Sequence, residues 1–254
     1  MLELRGVSYS VPNESTAGTR RTIIDDVSFR IGEKSIACIM GVSGTGKTTL
    51  LRLMAGLLKP NSGEILLNGR DIVPLNEREL NQVREDTGFV FQYGALFDSL
   101  SVGENVGFGL EQKRVPRKEI EEIVASRLRE VGLTDVENKM PSEISGGMKK
   151  RVAMARALAT SPHLVFYDEP ISGLDPVMAG VIDDLVVRLR NQFGTTNIIV
   201  SHHVSSVLKI ADQILMLHDG RIVADGTPHE IQSSESEVVQ QFLSGAPSGP
   251  ITVQ

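Results

Sequence analysis

The chain has 254 residues, 26 basic and 32 acidic side chains, a net charge of -6 and one cysteine, Cys38. That length buries a core without covalent staples, and one cysteine excludes an intrachain disulfide and a cysteine-rich metal centre. The acidic balance argues against broad polyanion or nucleic-acid binding. The opening Met1-Leu2-Glu3-Leu4-Arg5-Gly6 lacks the basic region and apolar run of a signal peptide, and no apolar stretch reaches about 18 residues. Export and membrane spanning are not expected, and any membrane role is expected to pass through partners.

In chain order, Leu2 to Tyr9 reads as a strand, Pro12 to Arg21 as a long polar connection, and Asp26 to Ile31 as a second strand. Ser35-Ile36-Ala37-Cys38-Ile39-Met40 is an apolar run, with Cys38 read as an inert core residue, and a helical pattern covers Lys47 to Leu57. Short strands follow at Gly63 to Leu67, turning at Asn68-Gly69, and at Gly88 to Phe91. From Gly94 to Pro162 the period becomes helical, with Ile120, Ile123, Val124, Leu128 and Val131 on one face between Pro116 and Gly132. Strand, helix and strand then recur at Leu164 to Tyr167, Val177 to Asn191 and Asn197 to Val200. A helix near Val204 to Ala211 precedes a hairpin-like pair, Gln213 to Leu217 and Arg221 to Ala224, around Asp219-Gly220. Apolar strands separated by helices suit a sheet covered on both faces. The expected division is a core of residues 1–93 and 163–244, an inserted helical subdomain of residues 94–162, and a tail of residues 245–254, mobile unless docked.

Gly41-Val42-Ser43-Gly44-Thr45-Gly46-Lys47-Thr48 matches GxxxxGK[ST], between an apolar strand and a helix as that phosphate-binding motif requires. Its glycines let successive N–H groups face a phosphate and the helix adds its positive end, while Lys47 reaches the β- and γ-phosphates and Thr48 is placed to ligate Mg²⁺. Thr49 is expected on phosphate or backbone. The apolar strand ending at Asp168-Glu169 supplies the complementary acids: Asp168 to hold Mg²⁺, directly or through water, and Glu169 to activate or orient the attacking water. Ser145, Gly146 and Gly147 open a further helix running to about Ala159, another helix end suited to anions. Lys149, Lys150 and Arg151 stand in that helix's first turn, against its dipole. They read either as a solvated face or as attracted to an acidic partner or phosphate.

Together with Gln92 after Phe89-Val90-Phe91, Ile144-Ser145-Gly146-Gly147-Met148-Lys149-Lys150-Arg151, Ser172-Gly173-Leu174-Asp175, and His202 after Ile199-Val200-Ser201, these motifs make the chain resemble an ATP-binding cassette subunit of a transporter, up to about residue 244. The resemblance implies an α/β P-loop NTPase with an N-terminal antiparallel β subdomain and an inserted helical subdomain, working as a homodimer with ATP and Mg²⁺. It assigns Tyr9 to stacking on adenine, although Tyr9 also reads as a strand-core aromatic. Gln92 is assigned to sensing metal or water, and Asp175 to the loop linking two sites. Ser145, Gly146 and Gly147 would contact the γ-phosphate held by the other copy, and His202 would support that phosphate. Glu169, His202 and Lys47 would carry catalysis.

The stretch Gly94 to Val106, with Met148-Lys149-Lys150-Arg151, resembles more narrowly the ATPase subunit of bacterial phospholipid transport systems with MCE domains, also described as toluene-tolerance transporters. That resemblance implies permease and MCE-domain lipid-binding partners, and a peripheral place on the cytoplasmic face of the bacterial inner membrane. Leu96, Phe97 and Leu100 read either as lining a groove for a permease helix or as packing within the helical subdomain.

Overall fold

The computed structural model describes residues 1–13 and 18–251. They form two units, residues 1–80 with 198–254, and residues 81–197. In the first, β1 (Leu2–Pro12) pairs antiparallel with β2 (Arg20–Ile31), from Leu2 opposite Ile31 to Pro12 opposite Arg20. The second strand therefore starts earlier than the predicted Asp26. Its first residues, Arg20, Arg21 and Thr22, are exposed, and ladder hydrogen bonds hold them extended without an apolar face. The expected polar connection is strand at both ends, with Asn13 N donating to Thr19 O at 3.0 Å, and its middle lies outside the described residues.

All five residues of β3 (Ile36–Met40) are buried, Cys38 among them. Burying each large apolar side chain contributes about 1.5–3 kcal/mol. α1 (Lys47–Met54) follows and ends short of the predicted Leu57, because Gly56 takes the left-handed conformation that closes a helix. β4 (Ser62–Leu67) and β5 (Arg70–Asp71) complete a four-stranded sheet of order β2-β1-β4-β5. The next helix, α2 (Glu77–Arg84), carries no buried residue and so gave no apolar period. Its sequence signal is the cap: Asn76 Oδ1 accepts from Glu79 N at 3.1 Å, and Glu79 Oε2 accepts from Asn76 N at 3.0 Å.

In the second unit, β6 (Thr87–Val90) pairs in parallel with β7 (Leu164–Asp168), Val90 opposite Tyr167. Between them lie α3 (Val102–Gln112), α4 (Arg117–Glu130), a short 3-10 turn (Pro141–Glu143) and α5 (Gly146–Ala159). Val106, Leu110, Val124, Leu128 and Val152 supply the buried apolar surface of these helices, in keeping with the helical period of this stretch. α6 (Pro176–Phe193) follows β7, and β8 (Thr196–Val200) carries the chain back to the first unit.

There α7 (Val204–Ile210) leads to β9 (Gln213–His218) and β10 (Arg221–Gly226). β9 runs parallel to β3, with Met40 opposite Met216, and antiparallel to β10. Asp212 sets the β3–β9 register from both directions: its N donates to Ile36 O and its Oδ2 accepts from Ile36 N, each at 2.8 Å. Asp219 and Gly220 both have positive φ, as a tight two-residue hairpin turn demands. α8 (Pro228–Gln232), which starts on the Thr227/Glu230 capping box, and α9 (Glu237–Ser244) close the unit. Beyond them residues 245–251 are docked, with Ile251 6% exposed and bonded to the Gln241 side chain on α9.

Candidate functional site

The first unit carries the phosphate loop. Gly41 closes β3 against β9 so tightly that a Cβ there would sit 2.2 Å from Leu217 O, and Gly46, at φ 97, brings the loop within 3.0 Å of Ile23 O in the same sense. Only glycine satisfies both positions. α1 begins without a side-chain cap and with no acid in its first turn, so its positive end is not neutralised locally. Ser43 and Gly44 are exposed, Thr45 Oγ1 donates to Val42 O at 2.9 Å, and Thr48 and Thr49 are half-buried on α1. Lys47 is buried, and its Nζ donates to Gly41 O and Val42 O at 2.8 Å each, folding the cation back over the loop. An uncapped helix start beside a buried ammonium fits a phosphate.

His202 shares this unit. Ser201 N donates to Ile39 O at 3.1 Å, which fixes the segment before His202 to the end of the strand that feeds the phosphate loop. His202 is exposed and its ring lies over that of His203, centroids 4.3 Å apart. His203 is the less exposed of the two, since it starts α7 and its N donates to Ser201 Oγ at 3.1 Å. Tyr9 is half-buried on β1 opposite Ile24, flanked by two register shifts.

The second unit carries the acids. β7 is buried throughout and delivers Asp168 and Glu169, 6% and 8% exposed. Glu169 adopts φ 49, a left-handed conformation that costs a non-glycine residue about 1–3 kcal/mol and recurs where a side chain is aimed for function. Carboxylate, hydroxyl and amide oxygens at Asp168, Thr48 and Gln92 are the hard donors that suit Mg²⁺. Ser145 caps α5, its Oγ accepting from Met148 N at 3.3 Å, and Ser145 and Gly146 are exposed while Ile144 anchors them in the core. No acid stands in the first turn of α5, and a Cβ on Gly146 would meet nothing within 4 Å, so this helix end presents bare backbone. Asp175 caps α6, with Oδ1 accepting from Val177 N and Met178 N at 3.0 Å each.

Gln92 is half-exposed, and its backbone O accepts from Lys150 Nζ at 3.1 Å. Burial pushes the Lys150 ammonium below its ordinary pKa, and the Glu169 carboxylate opposes that shift. Arg156 Nη1 and Nη2 donate to Ala95 O and Gly94 O at 2.7 Å each, and Arg151 Nη1 donates to Gly132 O at 3.1 Å. Two of the three residues of the basic run on α5 thus cap carbonyls of neighbouring loops, Lys150 at Gln92 and Arg151 at Gly132. Asn105 ties down the segment before α3. It is fully buried, and its amide binds Phe97 N, Phe97 O, Leu100 O and Ser101 O at 2.8–3.0 Å. The signal for it was a polar amide amid the apolar positions of α3. Phe97 packs on Phe108, centroids 4.7 Å apart, yet stays 44% exposed, and Tyr93 is 85% exposed.

Residues 24–172 match the family model described as ABC transporter. The chain is 44% identical over 232 residues to the intermembrane phospholipid transport system ATP-binding protein MlaF of Haemophilus influenzae, covering 91% of this chain and 88% of that protein. It is 40% identical to MlaF of Escherichia coli K12 over 252 residues, 99% of this chain and 91% of the relative. Among solved structures it is similar to the dimeric post-hydrolysis state of the ATP-binding cassette MJ0796 bound to ADP and Pi, with TM-score 0.82, 30% identity, and coverage of 90% of this chain and 99% of that one.

Proposed function

The chain belongs to the ABC transporter family, and from that premise we propose that it is the ATP-hydrolysing subunit of a membrane transporter that moves phospholipid. Two copies would act together, joined to integral permease subunits and to an MCE-domain lipid-binding subunit at the cytoplasmic face of the inner membrane. No helix among the described residues is long and apolar enough to cross a membrane, which accords with a peripheral role. The observation that carries the lipid reading is the reach of the likeness. It runs nearly end to end along the phospholipid-transport relatives and so includes the segment after Gln92 as well as the nucleotide motifs.

Lys47 exchanges its bonds to the loop carbonyls for oxygens of the β- and γ-phosphates, and the N–H groups of the loop and of the first turn of α1 hold the remaining charge. Tyr9 stacks on the adenine. Thr48, Asp168 and Gln92 would hold Mg²⁺, which when bound would neutralise charge on the phosphate oxygens. Glu169 orients the attacking water and takes its proton as oxygen bonds to the γ-phosphorus. The bond to the β–γ bridging oxygen breaks, giving ADP and phosphate. His202 supports the γ-phosphate, and Ser145, Gly146 and Gly147 of the second copy cover it, with Asp175 in the loop linking the two sites. Closure of the pair moves permease helices seated against the exposed aromatics Tyr93 and Phe97.

The reading is tested by purifying the chain with its native membrane partners and identifying proteins and bound lipid by mass spectrometry. Phospholipid together with a permease and an MCE-domain protein is the expected result. A soluble amino-acid-binding partner without lipid would overturn the cargo assignment and leave the ATPase assignment standing.

A further inference from the structure

A lysine in the opening turns of a helix is out of place, because its charge opposes the helix dipole. Lys150 also sits at 8% exposure, where an ammonium needs partners. Its Nζ donates to the backbone O of Gln92 at 3.1 Å, and its charge acts on the Glu169 carboxylate within the same unit. Lys150 thus stands on the helix that begins at Ser145, bonds the backbone of Gln92, and carries its charge into the field of the acid that follows β7. Farther along α5, Arg156 holds the next carbonyls of the same loop, Gly94 O and Ala95 O. Gly94 and Ala95 both have positive φ, a turn whose carbonyls are tied to α5 by the two Arg156 bonds.

We propose that Lys150 is a positioning residue for ATP hydrolysis, coupling the Gln92 loop and the Glu169 carboxylate to the helix that starts at Ser145. It touches neither nucleotide nor water. When a second copy's phosphate seats against Ser145, Gly146 and Gly147, any movement of α5 carries the Gln92 backbone with it through Lys150. The cation meanwhile attracts the Glu169 carboxylate. Contact made at one end of the helix is thereby felt where the water is activated.

The inference rests on the assignment of Glu169 above, and the test separates the two. Turnover, KM for MgATP and nucleotide affinity are measured for the full chain and for Lys150→Met, Lys150→Arg, Glu169→Gln and the double variant Lys150→Met/Glu169→Gln, with thermal melts alongside. Lys150→Met is expected to lower kcat about tenfold while KM and nucleotide affinity stay within about twofold, a loss of the size that coupling residues carry. Lys150→Arg, which keeps the cation and the donors, is expected to recover most of it. In the Glu169→Gln background, Lys150→Met should lower single-turnover hydrolysis by less than it does in the wild-type background, because the carboxylate is already gone and only the hold on the Gln92 backbone is left to lose. Unchanged kcat in Lys150→Met, equal loss in Lys150→Arg, or a full additional loss in the double variant overturns the proposal. If Lys150→Met melts early, Lys150→Gln, which retains a donor without the charge, is measured in its place, and wild-type kcat there overturns the electrostatic part. Full turnover in Glu169→Gln would instead remove Glu169 from its role, a different failure with a different signature.

Discussion

The Gln241 side chain holds the backbone of Ile251 from both directions, its Oε1 accepting from Ile251 N at 2.7 Å and its Nε2 donating to Ile251 O at 3.1 Å. The same Nε2 also reaches Ala246 O at 3.2 Å, so one amide closes the loop that follows α9. Gln241→Ala leaves these buried backbone groups unsatisfied and is expected to destabilise the chain by about 1–3 kcal/mol. Urea unfolding gives the magnitude. Hydrogen exchange localises it, with faster exchange expected at Ile251 and unchanged protection in β3.

Asn105 performs the corresponding service for the segment that precedes α3. Replacing it with Ala withdraws the amide from Phe97 and Leu100 while α3 keeps its Ser101 cap. A loss of about 2–4 kcal/mol is expected from a fully buried amide whose several partners are left in the core. Asn105→Asp keeps the acceptor for Phe97 N but sets a buried carboxylate against the Phe97, Leu100 and Ser101 carbonyl oxygens, so its unfolding midpoint should fall to that of Asn105→Ala or below. A midpoint equal to wild type in Asn105→Ala would show that the segment is held by Phe97 on Phe108 alone.

What could be read from the sequence follows from which physical signal each element carries. β3, β7 and α5 announce themselves through apolar runs or periods, and the Asp219-Gly220 hairpin through its turn chemistry. α2 has no buried face, and the first three residues of β2 are exposed, so only backbone pairing and capping define them, and pairing is not written in any local pattern. The phosphate loop was legible because Gly41 and Gly46 answer to close backbone approach, which sequence spacing reflects. Lys150 was legible only as an anomaly. A cation in the opening turns of a helix has to be compensated by something distant, and the carbonyl of Gln92, 58 residues away, cannot be inferred from the chain alone.

Ser101 and Glu104 form a capping box in which Glu104 Oε2 accepts from Ser101 N at 2.7 Å, and hydrogen bonds from Ser101 lower the Glu104 pKa from its ordinary value. A carboxyl whose folded pKa is depressed contributes stability that is present above its unfolded pKa and is lost as pH falls through the folded one. The start of α3 is therefore expected to lose this contribution on acidification below the usual carboxylate range. The difference in melting temperature between wild type and Glu104→Gln should be largest near neutrality and shrink toward acid. A difference that is constant with pH would mean that the carboxylate charge contributes nothing there.

Asp175 accepts from the N–H groups of both Val177 and Met178, and Pro176 follows it at the first position of α6. Asp175→Ala is expected to cost about 1 kcal/mol, the ordinary worth of a side-chain cap, while Asp175→Asn should retain most of it. Any larger fall in hydrolysis than in stability, measured on protein held well below its melting temperature, would belong to the pairing of copies. The two variants separate these effects, since an amide caps the helix but brings no charge to a neighbour.

Lys47 satisfies Gly41 O and Val42 O while it waits over the loop. Lys47→Ala therefore acts twice. It removes the cation that meets the β- and γ-phosphates, and it strips two carbonyls of their donor in a part of the first unit packed as tightly as Gly41 against Leu217. Loss of a charge-assisted bond of about 1.5–3 kcal/mol corresponds to nucleotide affinity lower by about 10- to 150-fold. Lys47→Met keeps the apolar stem and its packing, so it should lose affinity to the same extent with a smaller drop in melting temperature. Lys47→Arg keeps charge but replaces a compact ammonium with a planar fork in a buried space shaped by the loop, and is expected to restore neither affinity nor turnover. Titration with a fluorescent ATP analogue, set beside thermal melts of the same preparations, distinguishes the outcomes. If Lys47→Met binds nucleotide as wild type does, the ammonium serves the loop rather than the phosphate, and its bonds to Gly41 O and Val42 O are its whole function.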